Sequence, residues 1–335
     1  MTHTRRTARA AAALVSLALA ALLSLALGSA AQAKTALAEL RVEGPSGALD
    51  PGTWYVTGTE RTKRSRSSDA CERTTGTIKV PGPTAMGLPQ TGSETTPGLR
   101  QVRIRRDEAG LFVCEIGSVL GRPFSDPDGF AGWSYWQDYA FGSASADQVR
   151  LHDGDRILWV YSDFGSTPVN SGPDALELRS VDAGTTDGQL TVKVVGHGFD
   201  GSSHAIDDAT ITGAQSVTNN MDGTYDVTVP NGFTQLRATH PSNSDIPSQP
   251  ELTCADPNPS ACPDHRGRTI VGSPHGDRLA GTRGWDGIEA RGGPDVVRLA
   301  SGGQDVVDCG GGRDLVTGAR NDDQIAKNCE RVRSR

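Results

Sequence analysis

Gly284-Trp-Asp286-Gly-Ile288-Glu-Ala-Arg-Gly-Gly293-Pro-Asp295-Val-Val297-Arg-Leu-Ala-Ser-Gly-Gly303-Gln-Asp305-Val-Val307 repeats one short pattern, Gly-x-Asp-x-aliphatic. Followed outward, the pattern places Asp277, Asp286, Asp295, Asp305, Asp314 and Asp323 at steps of 9, 9, 10, 9 and 9 residues. An aliphatic residue stands two after each: Leu279, Ile288, Val297, Val307, Val316 and Ile325. Gly284, Gly293, Gly303 and Gly312 stand two before four of them. A fixed short period marks a solenoid. Glycine turns the chain tightly at positive φ, and each aliphatic points inward from a short strand, so the aliphatics stack into a narrow core. Nine residues make half a coil. Asp277, Asp295 and Asp314 therefore line one side, and Asp286, Asp305 and Asp323 the other. Carboxylates stacked this closely repel, and a hard, oxygen-seeking cation relieves the repulsion.

The unit resembles the RTX, or haemolysin-type calcium-binding, nonapeptide repeat. The resemblance implies a short parallel β-roll over residues 269–330, with Ca²⁺ held between turns by the six aspartates and turn carbonyls. His275 and Asn321 occupy the glycine position of the end repeats, and residues 263–335 carry 11 acidic and 12 basic side chains. The alternative is a roll held by its aliphatics and a Cys309–Cys329 bond, with Arg278, Arg291, Arg298 and Arg313 neutralising the acids in place of ions.

The other end of the chain addresses compartment. Arg5, Arg6 and Arg9 precede an Ala/Leu-rich run over residues 10–27, and Ala31-Gln32-Ala33 forms a small-x-small cleavage site. Residues 1–33 read as a secretory signal peptide, so the mature chain is expected to be secreted and not transmembrane. Removing the three arginines takes the formal charge from −7 to about −10, which disfavours nucleic acid as a partner. An even set of six cysteines in an exported chain reads as disulfides. Six cysteines allow 15 pairings. The grouping of Cys71 with Cys114, Cys254 with Cys262 and Cys309 with Cys329 favours local bonds.

Short runs separated by Gly, Pro, Asp and Ser fill the rest of the chain, as expected of β structure. They are residues 38–42, 53–57, 76–80, 101–105, 111–116 and 156–161, then 175–180, 189–195, 209–213, 224–229 and 235–239. Pro83 is placed to begin one helical turn over residues 84–88. Residues 165–175 read as a linker, and residues 254–268 as a second linker pinned by a disulfide. Asp222-Gly223 before an alternating strand is a turn signal, and by spacing residues 176–253 resemble an immunoglobulin-like sandwich. The expected class is mainly β: a small β domain, a β-sandwich and a C-terminal parallel β-roll.

Residues 130–164 hold nine of the 17 aromatics. The segment runs Trp133-Ser-Tyr135-Trp136-Gln-Asp-Tyr139, then Asp153-Gly154-Asp155 into Ile157, Trp159 and Tyr161. Over residues 34–164 this resembles the domain of unknown function related to the transcobalamin carboxy-terminal domain, which in cobalamin carriers helps to enclose the corrinoid. Relatives commonly carry Val-Asn-Gly where Gln137-Asp138-Tyr139 stands here. The cluster reads either as a packed core or as a ligand platform of Trp133, Tyr135, Trp136 and Tyr139 for a small molecule, a glycan or a protein.

The chain has neither His-Glu-x-x-His nor Gly-x-Ser-x-Gly. His197-Gly-Phe-Asp-Gly-Ser-Ser-His204 collects His, Asp and Ser in what reads as a polar turn. The expectation is a non-enzymatic extracellular binding or adhesive protein. A secreted hydrolase with a calcium-dependent tail and a passive surface protein are the alternatives.

Overall fold

The computed structural model describes residues 35–66, 71–72, 76–107, 110–123, 125–165, 173–179, 185–240, 245–258, 261–262 and 267–335. The expected signal peptide and most of the linker expected at 165–175 lie outside the described residues. Among the described residues the fold is mainly β, 51% strand and 4% helix.

β1 (Ala36–Gly44) and β2 (Gly47–Thr57) form an antiparallel hairpin. β3 (Glu60–Arg64), β4 (Thr77–Val80), β5 (Arg103–Asp107), β6 (Gly110–Ile116) and β7 (Val119–Leu120) form a second sheet, in the order β4-β3-β5-β6-β7. The turn expected at residues 84–88 forms, with the Gly87 and Leu88 N–H groups donating to the Thr84 carbonyl. It leads into α1 (Leu88–Ser93), where Pro89 sits in the first turn and its missing N–H costs nothing. β8 (Phe130–Gln137), β9 (Ala140–Phe141) and β10 (Arg156–Gly165) follow, and β10 lies parallel to β1. Leu40, Val42, Tyr55, Leu88, Ile104, Ile116 and Trp159 pack between the two sheets.

β11 (Ala175–Arg179), β12 (Gln189–His197), β13 (Ser203–Ala205), β14 (Thr210–Thr212), β15 (Ser216–Asn219), β16 (Thr224–Thr228), β17 (Gly232–Thr239) and β18 (Glu251–Ala255) form the middle of the chain. One sheet runs β11-β12-β16-β15, with β13 on β12, and the other runs β14-β17-β18. Val192, Val194 and Tyr225 of the first pack on Ile211, Leu236 and Ala238 of the second. Cys254 lies within β18 and not in a linker.

β19 (Thr269–Val271), β20 (Arg278–Ala280), β21 (Gly287–Glu289), β22 (Val296–Arg298), β23 (Val306–Asp308), β24 (Leu315–Ala319), β25 (Gln324–Ile325) and β26 (Arg331–Ser334) wind into a coil with two parallel rows. Leu279, Val297 and Val316 stand in register along one row. Ile270, Ile288, Val307 and Ile325 do so along the other. These side chains meet in one core, each worth ~1.5–3 kcal/mol of apolar burial.

One row of the coil does not end at its first strand. β19 pairs in parallel with β2, Ile270 opposite Trp54 and Val271 opposite Tyr55. The result is one nine-stranded sheet in the order β25-β23-β21-β19-β2-β1-β10-β8-β9. The physical reason is capping: the first coil has an unpaired backbone edge and an open apolar end. β2 supplies the missing backbone partners, while Trp54, Val56 and Leu37 close the end of the aliphatic stack. At the far end Cys309 and Cys329, 20 residues apart, join successive coils after β23 and β25 of one row. The other cysteines pair as Cys71–Cys114 and Cys254–Cys262.

β1 is covered on both faces. Ala38, Leu40 and Val42 enter the core, and Glu39, Arg41 and Glu43 are also buried, beneath the middle domain. Arg41 pairs with Glu43 at 2.9 Å, and Glu43 pairs with Arg237 at 2.7 Å. Gln249 donates to Glu39 at 2.7 Å, and Arg41 donates to the Pro247 carbonyl. Residues 35–335 accordingly form a single compact unit.

Candidate functional site

The aspartates of the coil fall into the two expected rows, linked by a repeated hydrogen bond. The N–H of Asp277 donates to Oδ1 of Asp295 at 2.8 Å, and that of Asp295 to Asp314 at 2.8 Å. In the other row Asp286 donates to Asp305 at 3.0 Å, and Asp305 to Asp323 at 3.0 Å. Each carboxylate thus caps the strand entrance of the coil before it. The end of the first row passes to Glu330, which accepts from the Asp314 N–H at 2.8 Å.

The second carboxylate oxygens behave differently at the ends and in the middle. Asp277, Asp286 and Asp323 accept backbone N–H groups from Ser273, Thr282 and Arg320 within their own turns. Oδ2 of Asp295, Asp305 and Asp314 is buried without a hydrogen-bond partner among the described residues. Burial, reinforced by the neighbouring acids of the same row, raises Asp295 and Asp305 from 3.8 to about 6.

Those two groups predict a pH dependence. A carboxyl whose folded pKa is raised stabilises the fold below its unfolded pKa, and that contribution is lost as pH rises through the folded value. In chelator, the melting temperature should therefore fall between pH 4 and pH 6.5 because of this pair. Partial solvation leaves ~1–2 kcal/mol per carboxylate, roughly 3–6 °C or more in all. Calorimetry of the Asp295→Asn/Asp305→Asn double variant isolates the pair. A variant whose profile matches the parent's would refute the assignment.

The aromatic residues Trp133, Tyr135, Trp136 and Tyr139 occupy β8 and the turn after it. Trp136 is fully buried and Tyr135 is 7% exposed. Tyr135 packs on Trp159, and its hydroxyl donates to the Ala144 carbonyl at 2.7 Å. Trp136 faces the opposite side and meets Phe141 and Phe199, each with centroids 5.1 Å apart. Trp133 is half-buried against Tyr161, and its indole N–H donates to the Val119 carbonyl at 3.1 Å. Both faces of β8 are occupied because the middle domain covers the side that an isolated domain would leave open. Asp138 and Tyr139 both have positive φ, 49° and 65°, as a two-residue mirror-image turn requires. That turn lays Tyr139 flat on His197, centroids 4.8 Å apart.

His197 is itself part of a chain of hydrogen bonds. Its Nε2 faces Glu177 at 2.9 Å and its Nδ1 faces Ser203 at 3.0 Å. The loop between His197 and Ser203 is the reversal from β12 to β13, in accord with a polar turn. His240 is held between Asp208 and Asp245, each at 2.7 Å.

Residues that the sequence reading passed over also converge. Trp54 of β2, Arg268 ahead of β19 and Trp285 of the coil line one cleft with Glu39, Gln249 and Glu251. Trp285 fills the variable position of its Gly-x-Asp unit and is 38% exposed. A large aromatic on the outside of a repeat was the available signal.

Among the described residues, no three His, Cys, Asp or Glu side chains converge as a ready metal-ligand group. No described helix is long and apolar enough to cross a membrane. Comparisons of the chain with protein-family models, curated proteins and solved structures gave no match.

Proposed function

We propose that this chain is an extracellular, non-enzymatic binding protein whose C-terminal coil is stabilised by divalent cations, Ca²⁺ in particular. The observation that carries the reading is the set of buried, unpartnered Oδ2 atoms on Asp295, Asp305 and Asp314. A carboxylate oxygen withdrawn from water needs a proton or a cation. Hard oxygen donors at regular spacing suit Ca²⁺, whose shell accepts main-chain carbonyls beside carboxylates. Asp277, Asp295 and Asp314 would hold ions in one row, and Asp286, Asp305 and Asp323 in the other. The cation would supply charge neutralisation and cross-link successive coils. Three disulfides support folding in an oxidising compartment, as does the signal-like start of the chain.

Adding millimolar Ca²⁺ to chelated protein should raise the melting temperature by several degrees. A ligand at ~100 times its Kd contributes ~2.7 kcal/mol. Identical calorimetric traces in chelator and in Ca²⁺ would sink the cation reading.

A second reading, a hydrolase, rests on the Ser203–His197–Glu177 chain, whose order matches a nucleophile, a base and an orienting acid. His197 is 7% exposed and covered by Tyr139, which favours a structural link. Covalent labelling of Ser203 by a fluorophosphonate, lost in Ser203→Ala, would establish the hydrolase instead.

A further inference from the structure

The cleft between the hairpin, the middle domain and the coil has a volume of about 380 Å³, within the ~300–1,000 Å³ of small-molecule sites. Its walls come from three separate parts of the chain: Trp54 and Arg156 from the first sheet, Gln235 and Gln249 from the middle domain, and Arg268 and Trp285 from the coil.

Its chemistry is that of a polar ligand with one flat face and an acid. Trp285 is 38% exposed and backed by Phe233, centroids 4.1 Å apart, so its ring is held in place at the mouth. Such a face stacks on the C–H side of a sugar ring. Gln235 and Thr269 are exposed in the same cleft. Side-chain amides and hydroxyls offer donors and acceptors together, as vicinal hydroxyls require. The cations differ in availability. Arg156 is engaged with Glu39 at 3.2 Å, which also accepts from Gln249. The Arg268 guanidinium lies over the Trp54 ring at 3.9 Å. The carboxylates of Glu39 and Asp286 attract it from nearby, but its direct side-chain contact is this stacking and not an ion pair. A guanidinium held flat by stacking presents its planar fork to a carboxylate.

We propose that this cleft binds an acidic saccharide, with a uronate carboxylate on Arg268 and a sugar ring on Trp285. The assignment rests on the reading of the chain as a binding protein and names the class of ligand. A peptide carrying acidic side chains would satisfy Arg268 but would leave the exposed indole and the amides without hydroxyl partners.

The test is calorimetric titration of the full mature chain, at one fixed Ca²⁺ concentration, with trigalacturonate, its methyl ester and an oligoglutamate. Trigalacturonate should bind, the methyl ester at least about tenfold more weakly, and oligoglutamate not measurably. Arg268→Gln and Trp285→Ala should each weaken trigalacturonate by about tenfold or more. Gln235→Ala is a milder variant at an exposed site. Loss of binding in these variants counts only alongside an unchanged melting temperature. No heat with trigalacturonate, equal binding of the ester, tighter binding of oligoglutamate, or full affinity in Arg268→Gln would each overturn the cleft assignment. Release of reducing ends during the titration would instead overturn the non-enzymatic reading, while the cation reading stands or falls on the separate melting comparison in chelator and in Ca²⁺.

Discussion

Replacing Gly303 by alanine is expected to unravel the C-terminal coil. Gly303 has φ +69°, where a side chain is strained, and a Cβ there would lie 2.1 Å from the carbonyl oxygen of Gly284 in the coil before. The obstructing atom is backbone, in the turn before β21, so it cannot swing aside as the end of a side chain could. Left-handed strain costs ~1–2 kcal/mol, and forced separation of packed coils adds ~1–3 kcal/mol. The expected total is ~3 kcal/mol or more, a melting shift of roughly 6 °C or more. Gly311→Ala is the matched control, since it has no positive φ and a Cβ there meets nothing within 4 Å. Thermal unfolding followed by β-sheet circular dichroism distinguishes the two. Equal stability of both variants would show that the coils are not stacked as described.

The second large effect is expected at Trp136. Truncation to alanine removes a fully buried indole from the contact between β8 and the middle domain, where Leu158, Val160, Ile246, Phe141 and Phe199 surround it. Phe/Trp→Ala substitutions in cores cost ~3–5 kcal/mol. The loss should appear as lower denaturant midpoints for the whole chain, because the indole joins two parts of one compact unit. Trp136→Phe should recover most of it. If Trp136→Ala kept full stability while abolishing binding of a small ligand, the residue would be part of a platform and not of the core.

Much of the architecture was legible in the sequence because its signals are local. The coil follows from a nine-residue period, and its register from aliphatics two residues after each aspartate. Alternation in residues 224–229 marks β16, and Asp222-Gly223 marks the turn before it. What could not be read locally is which faces meet. Ala38-Glu39-Leu40-Arg41-Val42-Glu43 alternates like a strand with one face in water, yet both faces are buried. Its charges are satisfied by Arg237, Pro247 and Gln249. The same blindness applies to Trp136, whose covering comes from Phe199 and Ile246, far along the chain. The cleft combines residues from three regions, and its single local clue is the exposed Trp285.

The pairing of Trp54 with Ile270 also constrains the order in which the molecule can be made. During synthesis or export from the N-terminus, the hairpin emerges long before the strand that completes its sheet. Until then β2 offers unpaired amides and carbonyls to any neighbouring chain, a known route to mispairing. Contacts between such distant positions also form slowly, because the loop must close before they contribute. Folding in vitro should therefore lag in its last step, with dilution improving yield, and chains interrupted before residue 270 should be the most prone to associate.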